Sequence, residues 1–582
     1  MGPTQSPDNK PKRSIFTLLV PYKGMIVLLI LFALISNGVN LILPKIISHG
    51  IDDYTHGKFV FKNVILTFFI SSLIIFIFTW LQSIVQVYAS EKVAKDVRSR
   101  LSEKISQQTY AFVQQANPNK LLTNLTSDID SIKMFVSQAI VAIASSLFII
   151  IGASILLLTI NWRLALVVLL IIPIIGGAFY LVLKKVRVLF TKSRAIIDAL
   201  NKTINESILG SSLIRVINSQ QLEYDKFLAS NTEAKNLGLS ILKMFAALVP
   251  IITFVANLAT LSILAIGGKF VINGSMSLGD FAAFTSYLAL LIFPILVIGF
   301  MSNVIAQSTA SYNRISEVLY AKDAVDNGTV IERLKGNIEF KNVSITYGQK
   351  PALKDVSFTI QAGCKTAIIG PTAAGKTQLL YLMTGLIKPK EGTVTFDGRD
   401  IDEYKKDAFY AEIGFVFQDS IIFNLSVKEN IAFNEKVTDA SFEKAVEASE
   451  LKDFIASLPE KDQTIVSERG SSLSGGQKQR IMLARALAVE PSILLLDDFT
   501  ARVDTNTEQK ILQNVAQDYP GITLISVTQK IASVEHFDKI ILLMEGEVIA
   551  EGTHEQLMET CPEYVQIFNS QRSTSNYELQ PQ

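Results

Sequence analysis

The sequence predicts an all-α domain of six membrane-spanning helices, followed by an α/β domain built on a phosphate-binding loop. Three observations carry that expectation. Long uncharged apolar stretches crowd the first part of the chain. Short β-rich runs in mixed polar sequence fill the rest. Between a strand-like and a helix-like run stands Gly370-Pro371-Thr372-Ala373-Ala374-Gly375-Lys376-Thr377.

At 582 residues the chain exceeds one ordinary domain. The divisions expected are a polar basic tail over 1–13, a membrane domain over 14–322 and a linker over 323–336. A nucleotide-type domain over 337–570 and a polar tail over 571–582 follow, the tail without fixed structure. A net charge of +1 gives no reason to expect nucleic acid as a partner. The two cysteines, Cys364 and Cys561, fit no metal-binding spacing and read as free thiols.

A spanning helix needs about 20 apolar residues. Six stretches qualify, near Met25–Ile47, Val64–Ala89, Met134–Ile160, Leu164–Leu183, Phe245–Gly268 and Phe281–Ala306. The second carries no charge from Val64 to Ser90, longer than a buried soluble helix sustains. Spans three and four join almost directly at Asn161-Trp162, and five and six turn at Asn273-Gly274-Ser275. The connectors after spans two and four are long and polar. They carry Lys92, Lys95, Arg98, Arg100 and Lys104, then Lys184, Lys185, Arg187, Lys192 and Arg194. The excess of cations places both connectors in the cytoplasm. Their helical periodicity carries the helices beyond the bilayer. Pro44, Pro173, Pro250 and Pro294 lie in or near spans and read as kinks or hinges. The polar residues Asn37, Asn40, Gln82, Gln86, Asn257, Asn303 and Gln307 read as inter-helix hydrogen-bonding groups, with contact to a transported molecule the alternative. No charge sits mid-span, which argues against ion coupling.

In the second half, Thr366-Ala367-Ile368-Ile369 leads into the glycine loop, and Gln378–Leu386 continues as an apolar helix. Strand, loop and helix in that order are what a phosphate-binding loop requires, because backbone N–H groups and the helix N-terminus face the phosphates. Lys376 is placed for the β- and γ-phosphates and Thr377 for Mg2+. Ile493-Leu494-Leu495-Leu496-Asp497 reads as a buried parallel strand whose final carboxylate can hold Mg2+ through water.

These motifs, with Leu473-Ser474-Gly475-Gly476-Gln477 just before the Asp497 strand, resemble the nucleotide-binding domain of an ABC transporter. Six spans followed by this domain resemble an exporter-type half-transporter over nearly the whole chain. The fold implied is a six-helix transmembrane domain followed by an α/β P-loop ABC ATPase domain. ATP and Mg2+ are the ligands implied. Tyr347 matches the aromatic that stacks on adenine, and Gln418 matches the glutamine that senses Mg2+. Glu468-Arg469-Gly470 matches the segment that touches coupling helices. Asn119–Ser131 and Ser211–Leu222 resemble the two coupling helices. The resemblance implies that two such domains meet head to tail, so the signature through Ser474, Gly475 and Gly476 serves ATP held by the partner.

Departures from the family pattern are as informative. Asp498 stands where the catalytic Glu is usual, and Gln529 stands at the switch histidine. An Asp carboxylate reaches about 1 Å less far, and a misplacement of that size can cost about 100-fold in rate. A neutral amide at Gln529 cannot relay a proton. None of the four histidines, His49, His56, His536 and His554, stands at the switch. Ala501-Arg502-Val503-Asp504 keeps only the Asp of the usual D-loop, Ala373 replaces a loop glycine, and Gln378 replaces a Ser or Thr.

The expectation that follows is one half of a heterodimeric ABC exporter in a bacterial cytoplasmic membrane. Its own site is slow or non-hydrolysing, and its signature completes the competent site of a different chain. The cargo expected is a small amphipathic or hydrophobic molecule or a lipid. Three alternatives stay open: a homodimeric exporter with Asp498 as base, an ATP-gated channel or regulatory membrane protein, and an importer on the same fold.

Overall fold

The computed structural model describes residues 14–323, 326–348, 350–467 and 470–578, excepting the side chains of 500, 501 and 573–578. Glu468 and Arg469, the polar tail over 1–13 and the last four residues lie outside that description. The chain forms two compact units. One holds the residues up to Gln107 together with Ala116–Lys322, and the other holds Gln108–Gln115 together with the chain from Asp323 onward.

Six long helices make the first unit: α1 (Ile15–Thr55), α2 (Phe61–Ser106), α3 (Pro118–Ile160), α4 (Trp162–Leu209), α5 (Gln220–Ile272) and α6 (Leu278–Leu319). The shortest has 41 residues and the longest 53. At about 1.5 Å per residue each is roughly twice as long as the hydrocarbon core is thick, so each continues past it. Pro44, Pro250 and Pro294 remain inside continuous helices. Pro173 falls in the first turn after a break at Leu170, where a missing N–H leaves no bond unmade.

Apolar contact alone does not drive helices together in lipid, so close approach and polar pairs decide the packing. A Cβ at Gly299 would lie 2.1 Å from the Phe179 ring, and one at Gly152 would lie 2.4 Å from Leu41. Ser36 and Thr79 hydroxyls meet at 2.9 Å, and Tyr287 Oη donates to Leu41 O at 2.9 Å. Gln86 Nε2 donates to Ser137 O, the inter-helix role expected of it. Asp52 accepts from Ser277 Oγ at 2.7 Å and from Gly279 N at 2.8 Å, closing the N-terminus of α6. Deeper in the unit, Asp128 accepts from Ser311 Oγ at 2.9 Å and from Arg314 Nε at 2.9 Å, with a second guanidinium bond beside them.

Asn119–Ser131 is not a separate coupling helix. It is the start of α3 and is tied to α6 by the Asp128 cluster and by Ser308 Oγ donating to Ser131 O at 2.6 Å. The segment of that connector that joins the second unit is Gln108–Gln115. In the second long connector, the short helix Ser211–Val216 lies between α4 and α5.

The second unit holds two sheets among the described residues. β1 (Ile338–Tyr347), β2 (Lys350–Ile360), β4 (Glu391–Phe396) and β5 (Arg399–Asp400) form an antiparallel sheet in the order β2-β1-β4-β5. β3 (Lys365–Ile369), β6 (Ile413–Val416), β7 (Ile493–Asp497), β8 (Thr523–Thr528), β9 (Lys539–Met544) and β10 (Glu547–Gly552) form the main sheet, in the order β10-β9-β3-β8-β7-β6. All its pairings are parallel except β10 with β9. Every residue of β7 and β8 is buried. Leu494 and Leu496 enter one core and Ile493 and Leu495 the other, so an unbroken apolar run satisfies both faces.

Two expected boundaries shift. Leu334, inside the expected linker, is 4% exposed in the nucleotide-unit core, and Val330 bridges Tyr404. Leu334 and the partly buried Val330 anchor the polar stretch there. The tail expected to lack structure from residue 571 continues the helix Pro562–Glu578. Tyr564 and Gln571 attach that helix, and neither stands out in a polar segment.

Candidate nucleotide-binding site

Ligands of parallel α/β sheets sit beyond the C-terminal ends of the strands. Here β3 ends at the glycine loop, β6 just before Gln418, β7 at Asp497 and β8 just before Gln529. The topology therefore collects residues 370–377, 418, 497, 498 and 529 at one edge.

The loop between β3 and the helix Lys376–Met383 is tightly built. A Cβ at Gly370 would fall 2.0 Å from Leu543 O, so only glycine fits. Ala373 adopts φ 67°, a left-handed conformation that costs a non-glycine residue about 1–2 kcal/mol. The loop thus takes this shape despite the alanine. Lys376 Nζ donates to Gly370 O at 2.8 Å and Pro371 O at 2.9 Å. Burial pulls its pKa down, and the charges of Asp498 and Asp497 oppose this.

Thr377 Oγ1 donates to Asp497 Oδ1 at 3.3 Å. Asp497 is 2% exposed, and its pKa is pushed up to about 6, chiefly by burial. The Thr377 bond and Lys376 pull it down, while Asp498 pushes it further up. A hydroxyl, a carboxylate and the nearby Gln418 amide supply hard oxygen atoms, which suit Mg2+. Among the described residues no group of three or more His, Cys, Asp or Glu could hold a metal.

These groups line a cavity of about 330 Å³. Its walls include Thr372, Ala373, Ala374, Gly375, Lys376, Thr377 and Gln378 from the loop and helix. Tyr347, Ala352, Gln418, Asp497, Asp498, Val527 and Gln529 complete them. Tyr347 Oη donates to Gln378 Oε1 at 2.6 Å, so the aromatic is tethered by the residue that replaces a Ser or Thr. Gln529 Nε2 donates to Thr372 Oγ1 at 3.4 Å across the loop. Asp498 has φ 49°, a left-handed position that Asp occupies more readily than most residues.

Leu473, Ser474, Gly475, Gly476 and Gln477 do not line this cavity. They open the helix Gly475–Leu487, with Ser474 as N-cap and Gln477 closing a capping box. Gly475 and Gly476 are its first two residues, so their N–H groups lie at the positive end of the helix. Arg502 packs on them: a Cβ at Gly475 would lie 3.4 Å from Arg502 Cδ. Asp504 is likewise outside the cavity and caps the helix Thr505–Asp518, accepting from Thr507 N at 3.0 Å. That bond holds its carboxyl below the usual range.

Sequence reasoning missed an aromatic cluster behind the phosphate loop. Tyr110, from the Gln108–Gln115 segment, meets Tyr381 edge-on at 5.6 Å. Tyr381 lies on the helix that begins with Lys376, and it touches Phe415 at 6.2 Å and Phe417 at 6.5 Å. Phe417 adjoins Gln418. The available signal was the aromatic pair Tyr110 and Phe112 in an otherwise polar connector.

Comparison with known proteins agrees along the chain. Residues 26–295 match the family model of the ABC transporter transmembrane region, and residues 353–501 match that of the ABC transporter. The uncharacterized ABC transporter ATP-binding protein YfiB of Bacillus subtilis (strain 168) is 30% identical over 566 residues, covering 95% of this chain and 98% of its own length. An ATP-dependent lipid A-core flippase of Syntrophus aciditrophicus (strain SB) is 28% identical, covering 94% of this chain and 91% of its own. The structure of a bacterial Atm1-family ABC exporter with ATP bound superposes with a TM-score of 0.81 at 22% identity, over 94% of this chain and 98% of that one. At that identity the likeness concerns the fold.

Proposed function

The chain belongs to the ABC transporter family, and from that premise we propose that it is one half of a heterodimeric exporter whose own ATP site is degenerate. It is an integral membrane protein with a cytosolic ATPase domain. The bacterial cytoplasmic membrane is the proposed location, and export driven by ATP is the proposed activity. The cargo proposed is a lipid or a small amphipathic molecule, a class that the lipid A-core flippase among its relatives supports.

One observation carries the degenerate-site reading. The cavity wall is built from an otherwise regular loop, strand and helix, yet it presents Asp498 and Gln529 at the catalytic and switch positions. Lys376 and the loop N–H groups bind and orient the phosphates, and Tyr347 offers a ring to the base. Mg2+, when bound, neutralises charge on the transferred phosphoryl group. Thr377, Asp497 and Gln418 are the residues that would hold it. Asp498 lacks the reach of Glu toward an attacking water, and Gln529 can donate a hydrogen bond but not accept and return a proton. ATP is therefore held longer than it is cleaved.

The signature, meanwhile, is capped and regular but lies outside the chain's own cavity. Its place is across a second chain's ATP. The tip of the second connector supports a second chain as well. Leu209 is 77% exposed, Val216 84% and Ile217 58%, three bared aliphatic side chains at the ends of one short helix.

A homodimeric pump is the second reading, favoured by Asp498 lying in the same cavity as Lys376 and Asp497. ATPase turnover of the chain alone in lipid nanodiscs separates the two. Silence in the wild type, with turnover in Asp498→Glu/Gln529→His, is the outcome expected. Brisk hydrolysis by the wild type alone would establish the homodimeric pump instead.

A further inference from the structure

We propose that the C-terminal helix is a latch on the switch segment and that Gln571 is the residue that positions Gln529. This rests on the reading of the cavity as a nucleotide site. The side-chain amide of Gln571 engages the backbone on both sides of Lys530. Its Nε2 donates to Gln529 O at 2.6 Å, and its Oε1 accepts from Ile531 N at 3.0 Å. Gln529 and Lys530 lie between the end of β8 and the turn Ile531–Ser533, and these two bonds, with Lys530 N donating to Thr528 Oγ1 at 3.1 Å, hold the peptide that carries Gln529. The Gln529 side chain then faces Thr372 across the phosphate loop.

The helix that carries Gln571 is firmly seated. Tyr564, in its first turn, is 0% exposed and shares a core with Ile531, Val534 and Phe537 of the switch region. His554 Nδ1 meets Tyr564 Oη at 2.6 Å. The far side of the same segment is tied by Ser533 Oγ donating to Glu508 Oε2 at 3.3 Å. Glu508 lies on the helix that Asp504 caps. The switch is thus spanned between two helices, and Gln571 makes the contact nearest the cavity.

A terminal phosphate is the group that Gln529 can address and ADP lacks. The test uses full-length protein in nanodiscs with Mg2+ and the fluorescent probes mant-ATP and mant-ADP. Gln571→Ala is expected to weaken mant-ATP about 3- to 10-fold while mant-ADP stays within about 2-fold. Gln571→Glu, which sets a carboxylate against Gln529 O, is expected to do the same or more. An unchanged ATP-to-ADP ratio in both variants overturns the latch. So does an equal loss for both nucleotides accompanied by a lower Tm, which marks a merely structural contact. Wild type that binds neither probe overturns the nucleotide reading itself.

Discussion

Asp128 in the membrane unit and Asp497 in the nucleotide unit are each 2% exposed, yet they sit in opposite surroundings. Asp128 faces a guanidinium and a serine hydroxyl at hydrogen-bonding distance. Asp497 has one long bond from Thr377, and a second carboxylate, Asp498, stands beside it in sequence. Burial alone therefore says little about role. A carboxylate whose partners come from the fold holds helices together. One whose charge the fold leaves under-compensated is poised for a cation from outside.

The largest effect should come from breaking the satisfied member. Asp128→Ala removes the carboxylate that joins Arg314 and Ser311, and because Arg314 is half-exposed and keeps its bond to Ser311 Oγ at 3.1 Å the cost should be about 1–3 kcal/mol. Both tryptophans, Trp80 and Trp162, lie in the membrane unit, so the loss should appear as an earlier transition in tryptophan fluorescence on heating. A transition unmoved by the change would make the cluster a surface ornament. Asp497→Asn should do the reverse. It should raise thermal stability without nucleotide, and it should erase most of the gain in mant-ATP affinity on adding Mg2+, about 10-fold or more.

The contrast sharpens with pH. Asp497 has a folded pKa of about 6 against an ordinary 3.8, so the folded chain binds the extra proton between those values. Its contribution to stability is greatest below 3.8, falls as pH rises through about 6 and is level above, a loss of at most about 3 kcal/mol. Mg2+ needs the ionised form, so Mg2+-dependent mant-ATP binding should strengthen from pH 5 to pH 7. In Asp497→Asn both slopes should flatten. The smallest effect is expected at Tyr347→Phe, which keeps the ring but loses the bond to Gln378. Nucleotide affinity should fall less than about 10-fold, as titration with mant-ATP will measure.

Legibility in the sequence followed how local each feature is. The spans, the phosphate loop and β7 are contiguous, and their residue patterns state their own geometry. Asp498 and Gln529 could be placed because each directly follows a recognisable strand. Tyr110 and Gln571 could not, because they reach the site only through chain returns of hundreds of residues and of about one domain edge, respectively. The Asn119–Ser131 expectation failed for a related reason. A polar amphipathic stretch reads the same whether its buried face meets α6 or another domain, and only the Asp128 pairing decides.

The bare aliphatic tip at Leu209 and Val216 has a consequence for the cell rather than for the mechanism. Exposed aliphatic groups of that kind favour association, so under the proposed heterodimer a copy made without its partner should be the more readily degraded. On the proposed heterodimer, the abundance of this chain should track the synthesis of its partner half, as quantitative immunoblotting with and without the partner will measure.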